Sequence, residues 1–121
     1  AEVEALLGDA ARRGALDGDA RARIETQLRR IERAWLHEPG LPGRPWYRNL
    51  YTAPDETSGY AAWPLPGLQK AILEQDAELA AAQMSLLGEV LERRDRALRM
   101  IEVLVRGAVG RAESAAPPEE R

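Results

Sequence analysis

The chain has 121 residues, is 45% hydrophobic and 31% charged, and carries a formal net charge of −3. That length suits one domain with a sizeable core, and the mixed surface charge argues against a dedicated nucleic-acid binder. Cysteine is absent, which excludes disulfides, thiolate metal sites and cysteine nucleophiles, and a lone histidine, His37, is too few for a self-contained zinc or Ser-His-Asp site.

The first helix is expected over about 2–13, where Val3, Leu6, Leu7 and Ala10 recur at three-and-four spacing. Gly14 and the Asp17-Gly18-Asp19 cluster break it, and Asp17 or Asp19 is placed to cap the next helix. That second helix is expected over about 20–37, with Ile24, Leu28, Ile31 and Trp35 as its apolar stripe and Pro39-Gly40 as its stop.

The stretch 38–67 holds six of the eight prolines, five of the six aromatic residues and four glycines. A loop this long is uncommon in a compact domain and is usually functional or disordered. Disordered segments are poor in aromatic residues. Trp46, Tyr47, Tyr51, Tyr60 and Trp63 therefore point to an ordered, packed loop, which its prolines stiffen.

A short helix over 68–73 and a long one over about 76–109 follow. Met84, Leu87, Leu91, Leu98, Ile101 and Val105 share one seam, with Arg94 in the same register. Leu86, Val90, Ala97 and Leu104 widen that face beyond a two-stranded coil, to what a bundle interior needs. Such a helix is about 50 Å long, so part of it is expected to meet a second chain or another domain. The tail over 113–121 reads as disordered. The expected fold is all-α: an up-and-down helical bundle of about four helices over 1–112, with a long ordered loop rich in proline and aromatic residues.

Several candidate chemistries are weak. His37-Glu38 opens like a zinc-binding helix motif, but Pro39 follows and no second histidine comes four residues on. Its plain reading is a histidine at a helix C-terminus. Arg93, Arg94, Arg96 and Arg99 form a basic cluster, yet Glu89, Glu92 and Asp95 precede three of them by four residues, as Glu25 precedes Arg29. That spacing describes a solvated helix face. Arg94 either ends the buried stretch or reaches a carboxylate on a partner. Pro39, Pro42 and Pro45 fit a polyproline ligand formally, but read better as loop stiffeners. Asp55 and Glu56 could join Tyr60 in a polar site, although adjacent loop carboxylates are usually solvated and no nucleophile accompanies them. No apolar run approaches the ~20 residues of a membrane span, and no basic-then-apolar signal opens the chain. The first residue is Ala, which reads as a processed product or an excised piece. Sixteen arginines against one lysine give the composition a bacterial look.

One resemblance rests on specific letters. Glu32-Arg33-Ala34-Trp35, Gly40-Leu41-Pro42, Arg44-Pro45-Trp46-Tyr47-Arg48, Ala53-Pro54, Tyr60-Ala61 and Pro66-Gly67-Leu68 follow one another without obvious gaps. Together they resemble the C-terminal dimerisation domain shared by transferrin receptors and glutamate carboxypeptidase II-like zinc peptidases. The resemblance implies a homodimerising domain that also packs on a separate peptidase domain and has no catalytic residues of its own. Zinc would belong to that absent domain, with no cofactor in this chain. It further implies that Ser58, Gly59 and Tyr60 stand where the family's glutamate carboxypeptidases place an Asn-Lys-Tyr triplet that lines the substrate pocket. Tyr60 matches, Ser58 is the neighbouring candidate, and Gly59 lacks the charge that pairs with a glutamate-like carboxylate. Trp35, Leu87, Leu91, Leu98, Ile101 and Val105 are the expected core or dimer residues, and Trp46, Tyr47, Tyr51 and Trp63 the expected loop-packing residues. Two other readings stay open: a pocket wall of an active exopeptidase, and a non-catalytic receptor-like binding module.

Overall fold

In the computed structural model, which describes residues 2–117, helix α1 spans Glu2–Arg12 and α2 spans Gly18–Arg33. A left-handed glycine separates them. Gly14 takes φ +66°, its N–H donates to the Ala11 carbonyl at 3.1 Å, and the Ala15 N–H reaches back to the Ala10 carbonyl at 3.0 Å. These bonds satisfy carbonyls that the helix end would leave open, and they bury Ala10 and Ala15 together. Of the two candidate caps, Asp17 is the one used: its Oδ1 accepts the Ala20 N–H at 2.8 Å. Asp19 pairs instead with Arg23 on the exposed face at 2.9 Å.

Helix α2 stops at Arg33, four residues before the expected end at His37. The cause is competition for backbone groups. The His37 N–H donates to the Arg48 carbonyl at 2.9 Å, and the Leu50 N–H donates to the Trp35 carbonyl at 2.8 Å. Residues 35–37 thus pair with 48–50 across a Leu36–Asn49 bridge. His37 is therefore not a helix-terminal residue. The Ala34 carbonyl accepts from Arg93 Nη2 at 3.2 Å, so Arg93 does more than decorate a solvated face.

The long loop contains a small antiparallel hairpin that periodicity did not reveal. Strand β1 is Thr52–Pro54 and β2 is Ala62–Pro64, with Ala53 opposite Trp63. Helix α3, Pro66–Leu73, starts on Pro66, whose missing N–H costs nothing at a first helical position. Gln75 takes φ +55° and ends α3, with the Asp76 N–H on the Ala71 carbonyl at 2.9 Å. Asp76 then caps α4, accepting the Leu79 N–H on its Oδ1 at 2.9 Å. One residue so closes one helix and opens the next.

Helix α4 runs Ala77–Ala115, 39 residues and about 58 Å at the α-helical rise. Glu113, Ser114 and Ala115, assigned to the tail from the sequence, continue this helix. Glu113 pairs with Arg13 at 3.5 Å. Residues 118–121 of that tail lie outside the described residues.

The fold is all-α in class, with four helices and the one hairpin among the described residues. It divides into two compact units, Ala1–Ile31 with Asp95–Arg121, and Glu32–Arg94. In the first, Ala10, Ala15, Ile24, Ile101 and Val105 form the buried core, flanked by Leu6, Leu7 and Leu104. In the second, Ala34, Leu41, Leu50, Ala53 and Val90 are buried, flanked by Trp35, Tyr47, Leu86 and Leu87. The second core explains how a 30-residue connector stays ordered: its aliphatic residues pack on α4. No helix among the described residues is long and apolar enough to cross a membrane.

Candidate functional site

The connector is built from turns that its sequence specifies. The Arg44 N–H donates to the Leu41 carbonyl at 2.9 Å across Pro42-Gly43, with Gly43 at φ +72°. Proline second and left-handed glycine third are what a type II turn demands. The Tyr47 N–H closes the next turn on the Arg44 carbonyl at 3.0 Å, with Pro45 second. These prolines set turns and do not form an extended ligand ribbon. Asn49 Oδ1 then accepts the N–H groups of Tyr51 at 2.8 Å and Thr52 at 3.2 Å, launching β1.

Between the strands, residues 55–61 form a tip organised around Asp55. Its carboxylate accepts the N–H groups of Thr57 at 2.9 Å, Ser58 at 2.5 Å and Ala61 at 2.9 Å, and the Ser58 hydroxyl at 2.7 Å. The Asp55 N–H donates to the Ala61 carbonyl at 2.8 Å, closing the base of the tip. These bonds, Ser58 first, stabilise the ionised form and hold the Asp55 carboxyl well below the usual carboxylate range. Asp55 is only 9% exposed, against the expectation that both adjacent carboxylates are solvated.

Glu56 faces the other way. Its carboxylate receives Lys70 Nζ at 3.0 and 3.2 Å, and lies 3.5 Å from Arg44 Nε. Lys70 also meets Glu74 at 3.0 Å. Hydrogen bonds to Glu74 and then to Glu56 push the Lys70 ammonium up from its ordinary value. The Arg44 guanidinium donates to the Pro54 carbonyl at 2.6 Å and stacks over the Tyr47 ring, 5.8 Å from its centroid. Three stretches of chain, the Arg44 turn, the tip and α3, are thereby tied together.

Tyr60 stands at the end of this tip, 97% exposed. Its N–H donates to Ser58 Oγ at 3.2 Å, and Gly59 before it takes φ +72°. Tyr60, Tyr47 and Ala53 help to line a shallow depression of about 230 Å³. Tyr60, one of the five aromatic residues expected to pack the loop, therefore does not pack inside this chain. Ser58, the other substrate-contact candidate, spends its hydroxyl on Asp55.

The expected packing residues separate into two groups. Ile101 and Val105 are buried in the first core, and Leu87 and Trp35 flank the second. Trp35 meets Tyr51 edge-on, with ring centroids 5.1 Å apart. Tyr47, Trp63 and Leu98 are half-buried. Trp46, expected to pack the loop, is instead 74% exposed, because Leu41 and Leu50 fill the core beneath the connector. Leu91 keeps 43% of its surface open and Met84, one heptad earlier on the same helix face, 58%. At the end of α3, Ile72 and Leu73 are also exposed.

Sequence reasoning missed Asp55 as an organiser. The signal was present, since an Asp two and three residues before Thr57-Ser58 is the composition of a side-chain-closed turn. It missed the Arg44–Glu56 contact, which no local pattern encodes.

The described residues do not fit a zinc site. No group of three or more His, Cys, Asp or Glu among the described residues could hold a metal ion. Asp55 is spent on amides and Glu56 on cations, so both shape the loop.

These features define an all-α helical domain organised around a stiffened aromatic connector. The chain belongs to the transferrin receptor-like dimerisation domain family, whose model matches residues 10–99. It is similar to an inactive zinc metalloprotease of Schizosaccharomyces pombe, with 32% identity over 73 residues, 60% of this chain. The matched region is 9% of that protein, so the chain spans a small part of its relative's length. No solved structure matches the chain.

Proposed function

We propose that this chain is the homodimerisation domain of a larger zinc peptidase-like protein, and that it packs on that protein's peptidase domain. The observation that carries self-association is the division of labour along α4. Leu87 and Val90 are taken up by the chain's own core, whereas Met84 and Leu91 remain 58% and 43% exposed. Apolar side chains of this size, left open on one helix face of a dimerisation-domain family member, are suited to meeting a second copy. A stable pair would bury at least about 1,000 Å². Sedimentation velocity of the chain at micromolar concentration should give twice the monomer mass, and a clean monomer would oppose the reading.

In the same proposal, Tyr60 meets the peptidase domain and lines its substrate pocket. Its near-complete exposure on a rigid tip supports this, since the side chain has no use inside the chain. Zinc and the reacting groups would then lie in the peptidase domain, and this chain would supply a wall. The full reading frame tests the assignment: it should encode a segment with His, Asp and Glu at zinc-ligand spacing. Zinc added to the 121-residue chain alone should yield no peptidase activity.

A further inference from the structure

We infer that Asp55 is the positioning residue for Tyr60: its carboxylate fixes the 55–61 tip so that the tyrosine is held ready for its contact outside the chain. The inference rests on the reading that Tyr60 meets the peptidase domain.

The tip is a loop of seven residues, 55–61. Free of constraint, it samples many backbone states, and ordering it on contact costs conformational entropy. Here that ordering is complete before any contact. Asp55 receives three N–H groups and one hydroxyl from residues two to six positions ahead of it. Gly59 supplies the left-handed φ of +72° that reverses the chain, and an added Cβ there would meet nothing within 4 Å. Ser58 relays the constraint: its hydroxyl donates to Asp55 and accepts the Tyr60 N–H at 3.2 Å. The backbone of Tyr60 is thus two hydrogen bonds from the Asp55 carboxylate.

Glu56 sets the tip's direction. Anchored by Lys70 at 3.0 Å and beside Arg44 at 3.5 Å, it ties the first residues of the tip to α3 and the Arg44 turn. The two adjacent carboxylates therefore divide the work, one fixing the tip's shape and the other its base. What the arrangement leaves outward is a tyrosine, a side chain with only two rotatable torsions and both an apolar ring and a polar end. Such a side chain loses little entropy when immobilised, which is why rigid tyrosines make good contact residues.

Hydroxyl-radical footprinting read by mass spectrometry tests this in the full-length protein. Tyr60 should be protected there relative to the 121-residue chain. Asp55→Ala should abolish that protection while leaving the oligomeric mass unchanged. Ser58→Ala, which removes one hydroxyl and no backbone group, should reduce it and speed amide exchange at Thr57 and Ala61. Asp55→Asn, which keeps an acceptor for the amides of Thr57 and Ser58, should restore part of the protection. Equal labelling of Tyr60 in the full-length protein and in the 121-residue chain would overturn the contact, and the inference with it. Protection that survives both Asp55→Ala and Ser58→Ala would leave the contact standing and overturn the positioning role.

Discussion

A β-carbon placed on Gly40 would lie 2.2 Å from the carbonyl oxygen of Pro45. The connector therefore folds back on itself so tightly that only a hydrogen fits. Gly40 also takes φ +78°, a conformation that costs an L side chain energy. Gly40→Ala should therefore destabilise the chain by about 3 kcal/mol or more, since strain and a backbone clash act together. Gly43→Ala is the control. Gly43 shares a positive φ, but its nearest neighbours are Lys70 side-chain atoms at 3.6 Å, so about 1–2 kcal/mol is expected from the dihedral alone. Urea denaturation followed by tryptophan fluorescence should separate the two.

The two kinds of apolar residue on α4 should respond differently to substitution. Ile101 is 1% exposed inside the first core, and Ile101→Ala should cost about 3 kcal/mol in stability. Leu91 is 43% exposed, and Leu91→Asp should alter monomer stability by less than about 1 kcal/mol. The same Leu91→Asp should shift the sedimenting species from dimer towards monomer, and combination with Met84→Asp should complete the shift. A dimer unaffected by both would place the self-association face elsewhere.

Trp35 links the end of α2 to the connector through its edge-on contact with Tyr51 and its place beside the second core. Trp35→Ala should cost about 3–4 kcal/mol, as large-to-small aromatic changes do. Tyr51→Ala should cost less, because Tyr51 is 57% exposed and chiefly supplies the ring pair, worth about 1 kcal/mol. Thermal melts of the two variants and of the double variant measure the coupling.

Asp55 makes a pH-dependent contribution whose sign follows from its depressed folded-state pKa. The folded state holds the carboxylate ionised more firmly than the unfolded chain, whose carboxyl titrates near 3.8. The stabilisation is therefore fully present above that unfolded value and is lost as pH falls through the lower folded one. Wild type should be more stable than Asp55→Asn at pH 7, and equally so at pH 5. The gap should close only below about pH 4. A gap that closed between pH 7 and 5 would mean that the amides around Asp55 do not hold its charge.

Much of the fold is legible in the sequence because its causes are local. Apolar residues at three-and-four spacing announce the helices, Gly14 and Asp17 punctuate the first two, and the short third helix is expected from 68, two residues after its actual start on Pro66. Pro42-Gly43 encodes its own turn. The errors come where distant backbone groups compete. Nothing near His37 in sequence says that residues 48–50 will claim its N–H and the Trp35 carbonyl, so α2 appears four residues too long. The aromatic residues of the connector signal order correctly, yet Leu41 and Leu50 supply the buried surface beneath it while Trp46 and Tyr60 turn outward.

By itself the sequence determined the helical class, the stiffness of the connector and the family likeness, since each follows from residue type and short-range spacing. Which apolar side chains are spent inside the chain was decided only by tertiary structure. Leu87 and Leu91 share a seam and a residue type, and the turn of the connector above α4 covers one more than the other. The same holds for Asp55 and Glu56, adjacent and alike, which the three-dimensional arrangement assigns to amides in one case and to cations in the other. Burial and pairing depend on residues far apart along the chain, and periodicity carries no information about them.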